Sequence, residues 1–113
     1  MALSIVDRNN TLSNESRELL ERRLRFALSR FGSRIRRVTA VIEDVNGPRG
    51  GIDKVCRITV KLNRARDVVI CDQDSRITEC IAHAAERAGR SVGRAIDRSQ
   101  QSYRVRPSDG ESL

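Results

Sequence analysis

The chain has 113 residues, 22 of them basic and 15 acidic, for a net charge of +7 at pH 7. Hydrophobic residues make up 38% and prolines number two, the composition of one compact domain and neither a disordered nor a fibrous chain. No apolar run approaches the ~20 residues of a membrane span, the first ten residues lack a secretory signal, and Cys56, Cys71 and Cys80 form no CxxC pair, which argues for reduced thiols in a cytoplasmic protein rather than a disulfide scaffold or a metal site.

Ala2 to Asp7 alternates Leu3 and Ile5 with Ser4 and reads as a short strand. Asn9, Asn10 and Ser13 supply turn and N-cap chemistry. From Asn14 the period changes to 3.6. Leu20, Leu24, Ala27, Leu28 and Phe31 then share one face of a helix, with Gly32 as its expected C-cap. Ile35 to Asp44 is a strand, with Val38, Ala40 and Ile42 on one face and Arg37, Thr39 and Glu43 on the other. Residues 46–51, Asn-Gly-Pro-Arg-Gly-Gly, read as a long hairpin loop. Cys56, Ile58, Val60 and Leu62 alternate along a third strand, residues 63–66 turn, and residues 67–71 form a short fourth strand.

Helical spacing returns from Asp74, through Ile77, Ile81, Ala84, Ala88, Val92, Ala95 and Ile96, and the second helix is expected to end near Arg98. Gly89 and Gly93 inside it cost about 1 kcal/mol each relative to alanine and mark a close approach to the sheet or the first helix. Residues 1–98 are thus expected to form an α+β domain of order β-α-β-β-β-α, a four-stranded sheet with two helices packed on one face. Residues 99–113 are expected to be a polar, flexible tail.

Twenty of the 22 basic residues are arginine; the lysines are Lys54 and Lys61. A cationic surface attracts polyanions by steering and counterion release. Arginine-favouring codon usage would raise the same total, so the sorting of charge carries more than its sum. On the second helix Arg76, His83, Arg87, Arg90, Arg94 and Arg98 fall in one sector beside the core stripe, with Glu79, Glu86 and Asp97 at its edge. Arg90, Arg94 and Arg98 repel at i, i+4, i+8 by a few tenths of a kcal/mol each. Phosphate bound by the guanidinium groups turns that repulsion into attraction; a merely solvated basic face is the competing account. On the first helix Glu18 and Glu21 are placed to pair with Arg22 and Arg25, while Arg23 and Arg30 share a flank with no acid between them.

Phe26 lies off the core stripe and is expected to pack against the second helix or a strand end rather than to stack on a base. With two Phe, one Tyr and no Trp, the chain lacks the aromatic sheet of an RRM-type reader, which points to recognition of backbone and shape. The 46–51 loop has no GxxxxGK[ST] pattern and reads as a hairpin connection, although Arg49 at its tip is placed to touch phosphate. His83 has no nucleophile set beside it by sequence, and Asp72 and Asp74 are expected to cap the second helix. Cys56 and Cys80 are expected to be buried and inert. Neither an enzyme nor a cofactor, metal or small-molecule substrate is expected.

On these residues the chain resembles the ribosome hibernation-promoting factor and ribosome-associated inhibitor family. The carriers are Ser13-Asn14-Glu15-Ser16-Arg17, Arg23-Leu24, and above all the run from Cys80 to Arg94, whose Arg87, Arg90 and Arg94 keep the family's basic spacing. The loop from Asn46 with Asp53 and Cys56 resembles short members. The resemblance implies a protein that binds the small ribosomal subunit and its rRNA, in the channel for messenger and transfer RNA, and keeps idle ribosomes from initiating. It implies rRNA contacts through Arg23, Arg87, Arg90 and Arg94, with Arg30 and Arg98 as extensions. Two departures stand out: Arg76, Thr78 and Cys80 occupy the family's Asp, Tyr and Ala positions, and Phe26 occupies a basic one. Long members pair ribosomes through an additional C-terminal domain, so pairing by this chain alone is not expected. Two alternatives remain open: a free-standing module for double-stranded RNA or DNA, and a basic module for an acidic protein partner.

Overall fold

A computed structural model describes residues 1–45 and 54–105, with side chains as far as residue 100. The expected 46–51 loop with Arg49, and the end of the expected tail from residue 106, lie outside the described residues. The elements are β1 (Ala2–Asp7), α1 (Asn14–Leu28), a 3₁₀ turn (Ser29–Arg34), β2 (Ile35–Asp44), β3 (Lys54–Leu62), β4 (Val68–Asp74) and α2 (Ile77–Val105). The sheet order is β1-β2-β3-β4, with β1 parallel to β2 and the other pairs antiparallel. This is the expected α+β architecture.

The alternation along each strand decides what is buried. Val38, Ala40 and Ile42 of β2 and Cys56, Ile58, Val60 and Leu62 of β3 point into the core. There they meet Leu20, Leu24 and Leu28 of α1 and Ile81, Ala84, Ala88, Val92 and Ile96 of α2 in one hydrophobic cluster. Each of these side chains contributes about 1.5–3 kcal/mol through burial, alanine less. The turn into α1 is built by polar side chains. Asp7 accepts hydrogen bonds from the Thr11 and Leu12 amides at 2.8 Å, and Ser13 caps the helix by accepting from the Ser16 amide at 3.1 Å.

Three element ends differ from the sequence expectation. α1 stops at Leu28, and Gly32 is not a left-handed cap; it lies inside the 3₁₀ turn. Tightening the chain there brings Phe31 onto the core. β4 runs on to Asp74, because pairing with β3 continues through Cys56 opposite Asp72 and Lys54 opposite Asp74. Asp72 is therefore a strand residue and not a helix cap, while Asp74 accepts from the Arg76 amide at 3.0 Å just before α2. α2 passes its expected end at Arg98 and continues to Val105. Residues 99–105 contain no Gly or Pro, and Arg34 reaches Ser99 Oγ at 3.3 Å, tying the extension to the domain.

The two helices meet at Gly89. A Cβ there would lie 3.1 Å from the Ala27 carbonyl oxygen and 3.3 Å from the Ala27 Cβ, too close for the backbone of α1 to stay in place. A Cβ at Gly93 would meet only the ring tip of Phe31, at 3.4 Å. The close approach is thus to α1, and Gly89 is the residue that requires it.

Gly89→Ala is therefore expected to destabilise the domain by about 1 kcal/mol or more, overpacking outweighing the gain in helix propensity. Gly93→Ala should be neutral or stabilising by up to about 1 kcal/mol. Thermal unfolding checks the pair: the two midpoints should move in opposite directions, or only that of Gly89→Ala should fall.

Cys56 and Cys80 are fully buried and Cys71 is exposed. Burial pushes both buried thiols up, Cys80 to about 11, and the Cys80 Sγ also lies 3.4 Å from the Asp72 carbonyl oxygen as a hydrogen-bond donor. Both thiols stay protonated at neutral pH, and the thiolate is the reactive form. Alkylation of the folded protein, read by mass spectrometry, should therefore add one label, at Cys71, and reach three only on unfolding.

Candidate nucleic-acid interface

The closeness of α1 and α2 leaves an open groove of about 370 Å³ on their solvent side. Arg23, Phe26 and Arg30 line it from the first helical segment, and His83, Glu86 and Arg90 from α2. Ala27, Ala82, Ala85 and Gly89 lie between them. The local reason is helical spacing. Phe26 follows Arg23 by three positions on α1, so the two share one flank, and the 3₁₀ turn brings Arg30 to the same groove. His83, Glu86 and Arg90 follow the same i, i+3, i+7 rule across the groove.

The arginines differ in what already holds them. Among the described residues Arg23, Arg90 and Arg98 have neither a hydrogen-bond nor an ion-pair partner, and His83 likewise has none. Arg30 lays its guanidinium over the Phe31 ring, 4.8 Å from the centroid. Arg94 donates to Ser91 Oγ at 3.3 Å. Arg25 is paired with Glu21 at 3.2 Å, as its i, i+4 spacing suggests.

Arg87 is the exception in the α2 stripe. Its Nη1 donates to Asp72 Oδ1 at 2.8 Å and to the Cys71 carbonyl oxygen at 3.0 Å. The other Asp72 carboxylate oxygen is buried and, among the described residues, has no hydrogen-bond partner. An uncompensated carboxylate in that position is costly, so the guanidinium is held where it is. Arg87 leans toward β4, while Arg90, about 60° round the helix, faces α1. The stripe read from the helical wheel therefore divides. Arg23, Arg30 and Arg90 come together in one groove, Arg94 and Arg98 stand exposed further along α2 outside it, and Arg87 anchors the helix to the sheet edge.

Phe26 does not pack as expected. It is 85% exposed and stands in the groove among the cations. Core packing had no place for it, because Leu24, Ala27 and Leu28 already fill the buried face of α1. His83 and Glu86 were not expected in a site with Arg23. The signal that joins them is Gly89, whose missing side chain lets the two flanks approach. Among the described residues no group of three His, Cys, Asp or Glu could hold a metal ion, and no helix is long and apolar enough to cross a membrane.

Neither a protein-family model nor a curated protein matches the sequence. Solved structures do match. The N-terminal domain of Thermus thermophilus Protein Y superposes with a TM-score of 0.65 at 20% identity, covering 83% of this chain and 98% of that one. A ribosomal subunit interface protein from Coxiella burnetii superposes with a TM-score of 0.67 at 14% identity, covering 83% of this chain and 96% of that one. Both are members of the hibernation-promoting factor family that the sequence resembles. At these identities the likeness is one of architecture: the chain has the fold of the hibernation-promoting factor family.

Proposed function

We propose that the protein is a non-enzymatic, ribosome-associated translation inhibitor that binds small-subunit rRNA in the channel for messenger and transfer RNA. The observation that carries this is the convergence of Arg23 and Arg90, from two helices and without partners among the described residues, on one open groove. Guanidinium groups held on rigid helices at a fixed spacing suit phosphates of a folded RNA backbone. One protein of the same fold is named for the ribosomal subunit interface, which supports a ribosome as the partner. Arg30, Arg94 and Arg98 extend the same cationic surface. Arg87 keeps Nη2 for a phosphate, but its charge is already offset by Asp72, so its share is smaller. A protein of this kind works in the cytoplasm.

Co-sedimentation with purified small subunits and with intact ribosomes tests the proposal. The wild-type chain should travel with small subunits. The Arg23→Glu/Arg90→Glu variant should lose at least about 100-fold in affinity, two charge-assisted contacts at roughly 1.5 kcal/mol each, with its unfolding midpoint unchanged. The logarithm of affinity should fall with that of salt by ~0.7–0.9 per phosphate neutralised. Wild-type absence from both ribosome fractions overturns the reading. Equal affinity for isolated duplex RNA favours the free-standing module, and a shallow salt slope favours an acidic protein partner.

Arg87→Ala should behave differently from Arg90→Ala. It should cost about 1 kcal/mol of stability by stranding the Asp72 carboxylate, and weaken binding less. Chemical denaturation beside the binding assay measures both.

A further inference from the structure

We propose that Phe26 is a stacking platform for one unpaired nucleobase, on an RNA strand whose phosphates are held by Arg23, Arg30 and Arg90. This rests on the RNA-binding reading above and specifies what the groove takes: a single-stranded nucleotide rather than only the backbone of a duplex.

At 85% exposure the fold draws almost nothing from this ring. Among the described side chains the other exposed large hydrophobics, Met1, Val6, Val45 and Val69, all lie outside the helices. Among the described residues no cation covers the Phe26 ring; the guanidinium of Arg30 lies over Phe31 instead. The face of Phe26 is therefore open, and it sits in a groove with Arg23 and Arg30 on its own side and His83 and Arg90 opposite.

Charge complementarity chooses the occupant. An apolar protein side chain would use the ring and leave the cations unanswered. An acidic peptide would use the cations and leave the ring in water. A nucleotide answers both, with a flat π face for Phe26 and a phosphate for the arginines. Glu86 fits the same division, because its carboxylate in the groove repels phosphate and accepts from a base amino group.

The chain has no Trp, so Phe26→Trp introduces a single fluorophore at the site. Its emission should be quenched by a short single-stranded oligoribonucleotide, and far less by the same strand made of abasic residues. Phe26→Ala should bind small subunits about 5- to 150-fold more weakly with an unchanged salt slope, since stacking neutralises no phosphate. Phe26→Tyr should bind as the wild type does. The ring is exposed, so all three variants should keep the wild-type unfolding midpoint. Unchanged binding by Phe26→Ala, with loss in the Arg23→Glu/Arg90→Glu variant, overturns the stacking role and leaves the cationic groove standing. Unchanged binding by both variants overturns the RNA reading of the groove as well. Weaker binding by Phe26→Ala without quenching of Phe26→Trp by RNA makes the ring a contact for a ribosomal protein and equally overturns the inference.

Discussion

The approach of Gly89 to the backbone of Ala27 is the contact on which the arrangement of this domain rests. A four-stranded sheet is only about 14 Å across between its outer strands, and two helices on one face must lie within about 8–10 Å of each other. A missing side chain at the crossing lets them do so without losing the leucine stripe of α1 or the alanine-rich stripe of α2 to solvent. The same closeness makes two separate helix flanks into one groove. The residue that looks like a flaw in the helix is thus the one that builds both the core and the site.

Electrostatics then follow from geometry. Three of the acids are engaged away from the groove, Glu21 with Arg25, Asp44 with Lys54 and Asp72 with Arg87, and among the described residues Glu86 is the one acid that lines it. Arg23 and Arg90 are left facing each other across an open groove. Their mutual repulsion is screened within about 8 Å at physiological ionic strength, so the fold tolerates it at little cost. A polyanion that enters the groove meets cations whose backbone anchors are fixed by the two helices, while their side chains still lose rotamer freedom on binding. Arg87 illustrates the opposite use of the same residue type, since its guanidinium ties α2 to β4 and compensates a partly buried carboxylate.

Phe26 and the arginines around it would hold a ligand in physically different ways. Guanidinium contacts grip phosphate, act over distance and weaken with salt. A ring contact acts only at van der Waals range, needs a flat partner and is nearly indifferent to salt. Set side by side on one groove, they would fix a strand by its backbone and by one splayed base. The buried thiols of Cys56 and Cys80 stand outside this chemistry, because desolvation keeps them protonated in the core.

Much of the architecture was legible in the residues alone. Period-two runs such as Val38-Ala40-Ile42 and period-3.6 runs such as Leu20-Leu24-Leu28 report burial directly, so the element order and the buried faces followed from them. Element ends were less legible, since pairing with β3 extended β4 to Asp74 and a contact from Arg34 held α2 beyond Arg98. A helical wheel sorted Arg87 and Arg90 into one stripe, because it describes a helix without neighbours. Only the packed structure separated them, through a strand carboxylate 15 positions away in sequence. It also turned Phe26 outward once the core of α1 was full, and brought Arg23 and Arg90 to the same groove. Local periodicity determined which residues are inside and which are charged outside. Which of the outside residues meet was decided by long-range contacts that no local pattern encodes.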